Sequence, residues 1–493
     1  MKRLIASLLA LSALSACNLE PRFTRPQPLA PSGWPAGDPY LRQSEAALPS
    51  VSYRDIFKDP HLQAIIAQAL ANNQDLRVAL ANVASARAQY RVQRADLFPE
   101  VDATAGLTDR HTPRSGTAPG GTGGTSAGAS GDRTSTTYQI QGGTTAWEID
   151  LFGRLRSLNH SAFDLYLGQE AAARATRLTL VAEVANTYLQ LASDRSLLAI
   201  AIDTEKSAQT SVDLTKARLD GGVAPRTDLR QAQTILATAQ ADKANLRALV
   251  AQDRNALNLL VGATVPDTLL PASIEAVYGL LGELPAGLDS SILLRRPDVI
   301  QAEYQLRAAN ARIGAARAAF LPRISLTGLA GLSSTALSAL FTGGAFTWTV
   351  APSATLPIFD GGANAGNLAY AKAQRDLYLA TYQKAIQTAF REVADALARR
   401  GTIDDELAAD ERNLAAAQDS YTLGLARYRE GIDPYLSALD AQRTLYNVRR
   451  TTSVARLAKA QNLVAIYQAL GGDQLVADLP GTVPGRKPGA QGL

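Results

Sequence analysis

The chain carries one cysteine, Cys17, so it can form no disulfide within itself. Its three histidines, His61, His111 and His160, lie far apart and in no ligand-like spacing. That argues against a metal site and against a histidine-based catalytic centre, so neither a metal nor an enzyme activity is expected. The formal net charge is only +4 and no basic block occurs, which leaves nothing to bind nucleic acid. Aromatic residues are scarce, at 6%, and with abundant alanine this suits long helices. The glycine-rich run Gly120-Gly121-Thr122-Gly123-Gly124 lacks the Gly-Lys-Ser/Thr ending of a phosphate loop and reads as a solvated loop. No cofactor is expected. Beyond the N-terminal signal there is no run of about twenty apolar residues, hence no transmembrane helix, and any membrane-embedded part has to be β.

What is present begins at the N-terminus. Lys2-Arg3 followed by a mostly apolar stretch from Leu4 to Leu14 reads as a secretory signal, residues 1–16. Leu14-Ser15-Ala16-Cys17 looks like a bacterial lipobox, in which Cys17 is acylated and becomes the first mature residue. Asn18 is not the aspartate that resembles an inner-membrane retention signal. A diacylated cysteine suffices to anchor a chain, although a free cysteine beside an ordinary cleavage site remains the alternative. Prolines at 21, 26, 28, 31, 35, 39 and 49 make residues 17–50 an extended, lipid-anchored strap.

The body of the chain is one design written twice. Ala217-Arg218-Leu219-Asp220-Gly221-Gly222-Val223-Ala224-Pro225 recurs as Ala426-Arg427-Tyr428-Arg429-Glu430-Gly431-Ile432-Asp433-Pro434, and both runs lead to an Ala-Gln pair. So long a period marks a duplicated half, with repeats at 51–262 and 294–472, a linker at 263–293 and a tail at 473–493. In each half a helical stretch stops at a proline, first near Phe98-Pro99 and again at Leu321-Pro322. Alternation follows. Val101, Ala103, Ala105 and Leu107 alternate with small polar residues, as do Phe346, Trp348, Val350, Ala354 and Leu356. Residues 137–150 and 324–332 complete two hairpins with less regular patterning. Strands of about nine to eleven residues suit a tilted membrane crossing. Four strands cannot close a membrane barrel, and lipid tolerates no open edge. Several chains must therefore share one barrel, and three copies would supply twelve strands.

Two stretches nearly free of proline and glycine, Arg154 to Asp220 and Gly362 to Glu430, each predict a helix of about 65 residues, roughly 100 Å at 1.5 Å per residue. Val181, Val184, Tyr188, Leu191, Leu198 and Ile202 keep near-heptad spacing, as do Ile386, Phe390, Val393 and Leu397. Each long helix turns at a Gly-x-x-Pro and returns as a shorter one over 227–260 and 435–470. A soluble coiled-coil protein would explain the helices but not the strands.

Several motifs in fixed order now bear on identity. They are Phe57-x-Asp59-Pro60-x-Leu62, Asn73-x-Asp75-Leu76, Asp150-Leu151-Phe152-Gly153 and Leu293-Leu294-Arg295-Arg296-Pro297-Asp298. Pro357-Ile358-Phe359-Asp360-Gly361-Gly362 and Tyr435-Leu436-Ser437-Ala438-Leu439-Asp440-Ala441-Gln442 complete the set. Together they resemble the outer-membrane efflux channels of the TolC/OprM type, the NodT-like lipoprotein branch of tripartite RND efflux systems. The glycine-rich stretch at 115–131 departs from that pattern. The resemblance implies a mostly α fold with a membrane β part: a homotrimer joining a twelve-stranded β-barrel in the outer membrane to a long α-helical barrel across the periplasm. It further implies a passive exit duct for drugs or other small toxic compounds, docked to a periplasmic adaptor and an inner-membrane RND pump. Type I protein secretion is the rival use of the same fold.

Leu436 and Asp440 are four residues apart and so share a helix face. The resemblance makes them the rings of a periplasmic gate, one apolar and one carboxylate. Asp440 as a surface partner of Arg443 is the plainer alternative. Tyr428 and Asp228 match family positions whose contacts hold the tip closed. Ordinary helix-end packing for Tyr428 and an N-terminal helix carboxylate for Asp228 are the alternatives there.

Overall fold

The computed structural model describes residues 18–27, 52–112, 133–280 and 290–471. Cys17, the glycine-rich stretch at 115–131 and the tail at 473–493 lie outside the described residues, as does most of the strap. In chain order the main elements are α1 (Tyr53–Ile56), α2 (Pro60–Asn72), α3 (Gln74–Ala95), β1 (Asp102–Thr112), β2 (Arg133–Glu148), α4 (Arg154–Asp220) and α5 (Arg226–Val261). Then come α6 (Ile274–Val277), α7 (Pro297–Ala318), β3 (Arg323–Ser334), β4 (Phe346–Thr355), α8 (Ala363–Arg429) and α9 (Tyr435–Ala469). The duplication is visible in their lengths. Helices α3 and α7 both have 22 residues and α4 and α8 both have 67, while α5 and α9 have 36 and 35.

Backbone contacts divide the chain into two units. Of the described residues, one holds 18–25, 85–112, 133–166 and 305–379, and the other holds 26–27, 52–84, 167–280, 290–304 and 380–471. The first contains a single antiparallel sheet in the order β1-β2-β3-β4. Its registers put Ala105 opposite Ile140, Ile140 opposite Leu332, and Leu332 opposite Phe346. The next row joins Ala103, Gly142, Ala330 and Trp348. Because successive residues point to opposite faces, these rows make one continuous apolar face. The opposite face carries Thr104, Gln141, Gly331 and Thr347 in register, and there the Ser325 and Ser353 hydroxyls meet at 2.7 Å. Phe346, Trp348 and Val350 are each at least 60% exposed. Among the described residues, strands β1 and β4 pair on one side only.

Strand β2 departs from expectation. It spans Arg133–Glu148 rather than 137–150, and its register with β3 shifts between Thr144 and Trp147, with Ala146 at φ 55°. The bulge moves Trp147 one place along the two-residue alternation, which is why the pattern over 137–150 reads poorly in the sequence.

The second unit is helical, with its main core built from Phe57, Leu62, Ile65, Tyr188, Leu257, Val464 and Tyr467. Phe57 and Tyr467 meet edge to face at 5.7 Å. Tyr188 is buried beneath Asp59, to which its hydroxyl donates at 2.7 Å. The heptad seam holds through Leu191 but not at Ile202, which is exposed while Ala201 is fully buried. A straight helix drifts relative to a seven-residue repeat, and the small alanine takes the inward position.

The helical stretch that stops near Phe98-Pro99 is not continuous but broken at Asn73, between α2 and α3. Its buried side chain accepts from the Leu76 N–H at 2.9 Å and donates to the Leu260 carbonyl at 2.9 Å. One amide thus starts α3 and fastens it to the end of α5. Asn73→Ala leaves both backbone groups without that partner, so we expect a loss of about 1–3 kcal/mol, read as a lowered thermal unfolding midpoint of the purified protein. An unchanged midpoint would show that the break is held by packing alone.

Candidate functional site

The two hairpin tips, α4–α5 and α8–α9, are built by the same local chemistry. At the first, Gly222 donates to the Leu219 carbonyl at 2.9 Å and Val223 to that of Arg218 at 2.9 Å. At the second, Gly431 donates to Tyr428 at 3.1 Å and Ile432 to Arg427 at 2.9 Å. Gly222 and Gly431 both lie at φ 73°, the left-handed conformation that ends a helix in this way. Pro225 and Pro434 then precede the return helices α5 and α9. The repeated sequence motif is therefore a helix stop and restart.

The copies differ at one consequential place. In the second, Arg427 forms a two-pronged pair with Asp433 at 2.6 and 3.0 Å within the turn. That guanidinium holds the Asp433 carboxyl below the usual carboxylate range. In the first copy the position of Asp433 is taken by Ala224, so Arg218 lacks the acid that pairs with its counterpart Arg427. It crosses to the other hairpin instead. Its guanidinium carbon sits 4.9 Å from the centre of the Tyr428 ring, and its Nη1 donates to the Tyr428 carbonyl at 3.4 Å.

Tyr428 is buried, packs against Tyr435 with ring centres 5.1 Å apart, and joins Val212, Ala232, Ala438 and Leu439 in a small apolar cluster. Burial pushes its hydroxyl pKa up; Arg218 pulls it down and Asp228 adds a smaller upward push. The Tyr428 hydroxyl has no hydrogen-bond partner among the described residues. Asp228 is half-buried in the first turn of α5, and its N–H donates to the Pro225 carbonyl at 3.2 Å. In the single chain these two expected partners are thus near enough to influence each other electrostatically but share no hydrogen bond.

Leu436 and Asp440 lie one turn apart on α9, on a different face from the buried Tyr435, Ala438 and Leu439. Both are exposed, Leu436 by 60%. Among the described residues Asp440 forms no salt bridge, with Arg443 or any other group. Arg218 and Tyr435 are the tip residues that sequence reasoning did not single out. The exchange of an acid for Ala224 between the copies is the signal that points to Arg218.

Among the described residues no helix is long and apolar enough to cross a membrane. An apolar sheet face with two free edges is satisfied only in lipid and beside further strands, which places the chain among outer-membrane channel subunits. Comparison narrows the class: the chain belongs to the outer membrane efflux protein family, whose sequence model matches residues 65–263 and 288–472. It is 42% identical over 474 residues to the probable efflux pump outer membrane protein TtgC of Pseudomonas putida, covering 96% of each chain. Among solved structures, a membrane protein from Pseudomonas aeruginosa aligns with TM-score 0.84 and 37% identity, over 92% of this chain and 100% of that one. The open state of the MtrE outer membrane channel of Neisseria gonorrhoeae aligns with TM-score 0.80 and 33% identity, over 93% and 98%. The protein is an outer-membrane component of an efflux system.

The tip cluster makes a sharp expectation. Tyr428→Phe removes only an unpartnered hydroxyl and should leave stability within about 0.5 kcal/mol of the parent. A double-mutant cycle of Arg218→Ala with Tyr428→Leu, read by urea unfolding, should give a coupling of about 1 kcal/mol. Zero coupling would remove the cation–ring contact from the account.

Proposed function

We propose that three copies of this chain close one twelve-stranded barrel in the outer membrane and form the passive exit duct of a tripartite efflux pump. The observation that carries this reading is the pair of unpaired edges, β1 and β4, flanking a sheet whose outer face is apolar and exposed. Four antiparallel strands set β1 and β4 running in opposite directions, so β4 of one copy can pair antiparallel with β1 of the next. In this reading the cargo is small toxic compounds, the partners are a periplasmic adaptor and an inner-membrane RND pump, and Cys17 carries lipid. The chain itself catalyses nothing. Relatives named for antibiotic, toluene and solvent efflux favour this over type I protein secretion.

Under threefold symmetry the exposed Leu436 and Asp440 become two stacked rings at the helical tip. An apolar ring impedes water and ions, and a carboxylate ring attracts cations while repelling anions. Arg218, Tyr428 and Tyr435 tie the α4–α5 hairpin to the α8–α9 hairpin within one copy, with Asp228 beside them. Contacts of this kind are individually worth about 1 kcal/mol, so a docked adaptor needs only modest differential binding to shift the tip toward open.

Leu436→Ala combined with Asp440→Ala should raise the single-channel conductance of the purified protein in planar bilayers and weaken its preference for cations. Unchanged conductance and selectivity would remove both residues from the gate.

A further inference from the structure

The segment that follows Cys17 is seated on helix α7, one contact per helical turn. Arg317 donates to the Leu19 carbonyl at 3.2 Å, and Asn310 to the Pro21 carbonyl at 2.7 Å. The Arg307 guanidinium lies 5.0 Å from the centre of the Phe23 ring. Between the first two contacts lies Gly314, where an added Cβ would fall 2.8 Å from the Glu20 Cα and 2.6 Å from the Ser157 hydroxyl. From Leu19 to Phe23 the contacts step back along α7 from 317 to 307, so the segment runs antiparallel to the helix. Its cysteine end points toward Ala318, beyond which the chain enters β3 at Arg323. On the far side, α4 supplies His160, whose Nδ1 is 3.0 Å from a Glu20 carboxylate oxygen. The Glu20 N–H closes a turn onto the Asn18 side chain at 3.0 Å.

We propose that residues 18–25 are a docking strap seated on α4 and α7, and that the Glu20–His160 pair makes this seat proton-dependent. The groups around His160 are Glu20 from the strap, and Asp164 and Arg156 from its own helix. From α7, Arg312 is bonded to Ser161 and Arg317 to Leu19. The hydrogen bond to Glu20 is the main cause that raises the His160 pKa above its ordinary value, with Asp164 adding and Arg156 opposing. A raised imidazole pKa means the pair contributes fully below the ordinary histidine range and is lost as pH climbs through the raised value.

Trypsin cleavage after the exposed Arg22, followed by mass spectrometry on the full-length detergent-solubilised protein, tests this. The parent should be cut slowly. Gly314→Ala should be cut at least about tenfold faster at every pH, although alanine favours a helix interior over glycine. His160→Ala should be cut faster at low pH, and the parent should approach its rate as pH rises past the imidazole range. Equal rates for parent and Gly314→Ala, or a parent-to-His160→Ala ratio that ignores pH, would overturn the seat. Should Gly314→Ala assemble poorly, Asn310→Ala carries the same comparison.

Discussion

Unpaired backbone along two strands is the constraint on which the rest depends. Strands β1 and β4 have 11 and 10 residues, and each has a strand neighbour on one side only among the described residues, which leaves its outward-pointing N–H and C=O groups without a ladder partner there. In water that is tolerable. In hydrocarbon each such group costs several kcal/mol, so two bare edges together cost on the order of tens of kcal/mol. Association of folded subunits loses about 4–15 kcal/mol in translational and rotational freedom, a smaller sum than the one the edges impose. Self-assembly is therefore the cheaper state once the apolar face is in a bilayer. The register adds a second reason, because it gathers Ala105, Ile140, Leu332 and Phe346 on one face and leaves Thr104, Gln141, Gly331 and Thr347 for the other. One face suits lipid and the other a wet lumen.

At the helical tips the same chain shows how duplication can yield an asymmetric device. Both turns use a left-handed glycine to end one helix and a proline to begin the next. Only the second copy keeps an acid for its own arginine. The first copy's Arg218, without such a partner, is free to cover Tyr428 on the neighbouring hairpin. A polar ladder continues along α9, with Gln442 bonded to Ser207, Tyr446 and Arg450 to Asp242, and Arg449 to Asp203. Each such link is individually worth about 1 kcal/mol or less.

Much of this architecture is legible in the sequence because long helices and short alternating strands leave strong periodic signals. Helices α4 and α8 end where Gly221 and Glu430 predict, and β1 and β4 fall on the alternating runs. The misses have local causes. Asn73 breaks a helix through bonds to Leu76 and Leu260, a contact 187 positions away that no local pattern reveals. The bulge between Thr144 and Trp147 flips the alternation near the end of β2. Ala201 displaces Ile202 from the seam. At the tip, the positions of Leu436, Asp440, Tyr428 and Asp228 follow from motif order. The role of Arg218 emerges only when the two copies are compared residue by residue.

The central claim is that one chain cannot seal its own sheet and three can. Native mass measurement of the full-length protein, extracted from membranes in mild detergent, tests it most directly. The account requires a particle of three chains that holds together without chemical cross-linking. A stable, monodisperse single-chain particle that still conducts ions in a bilayer would contradict it.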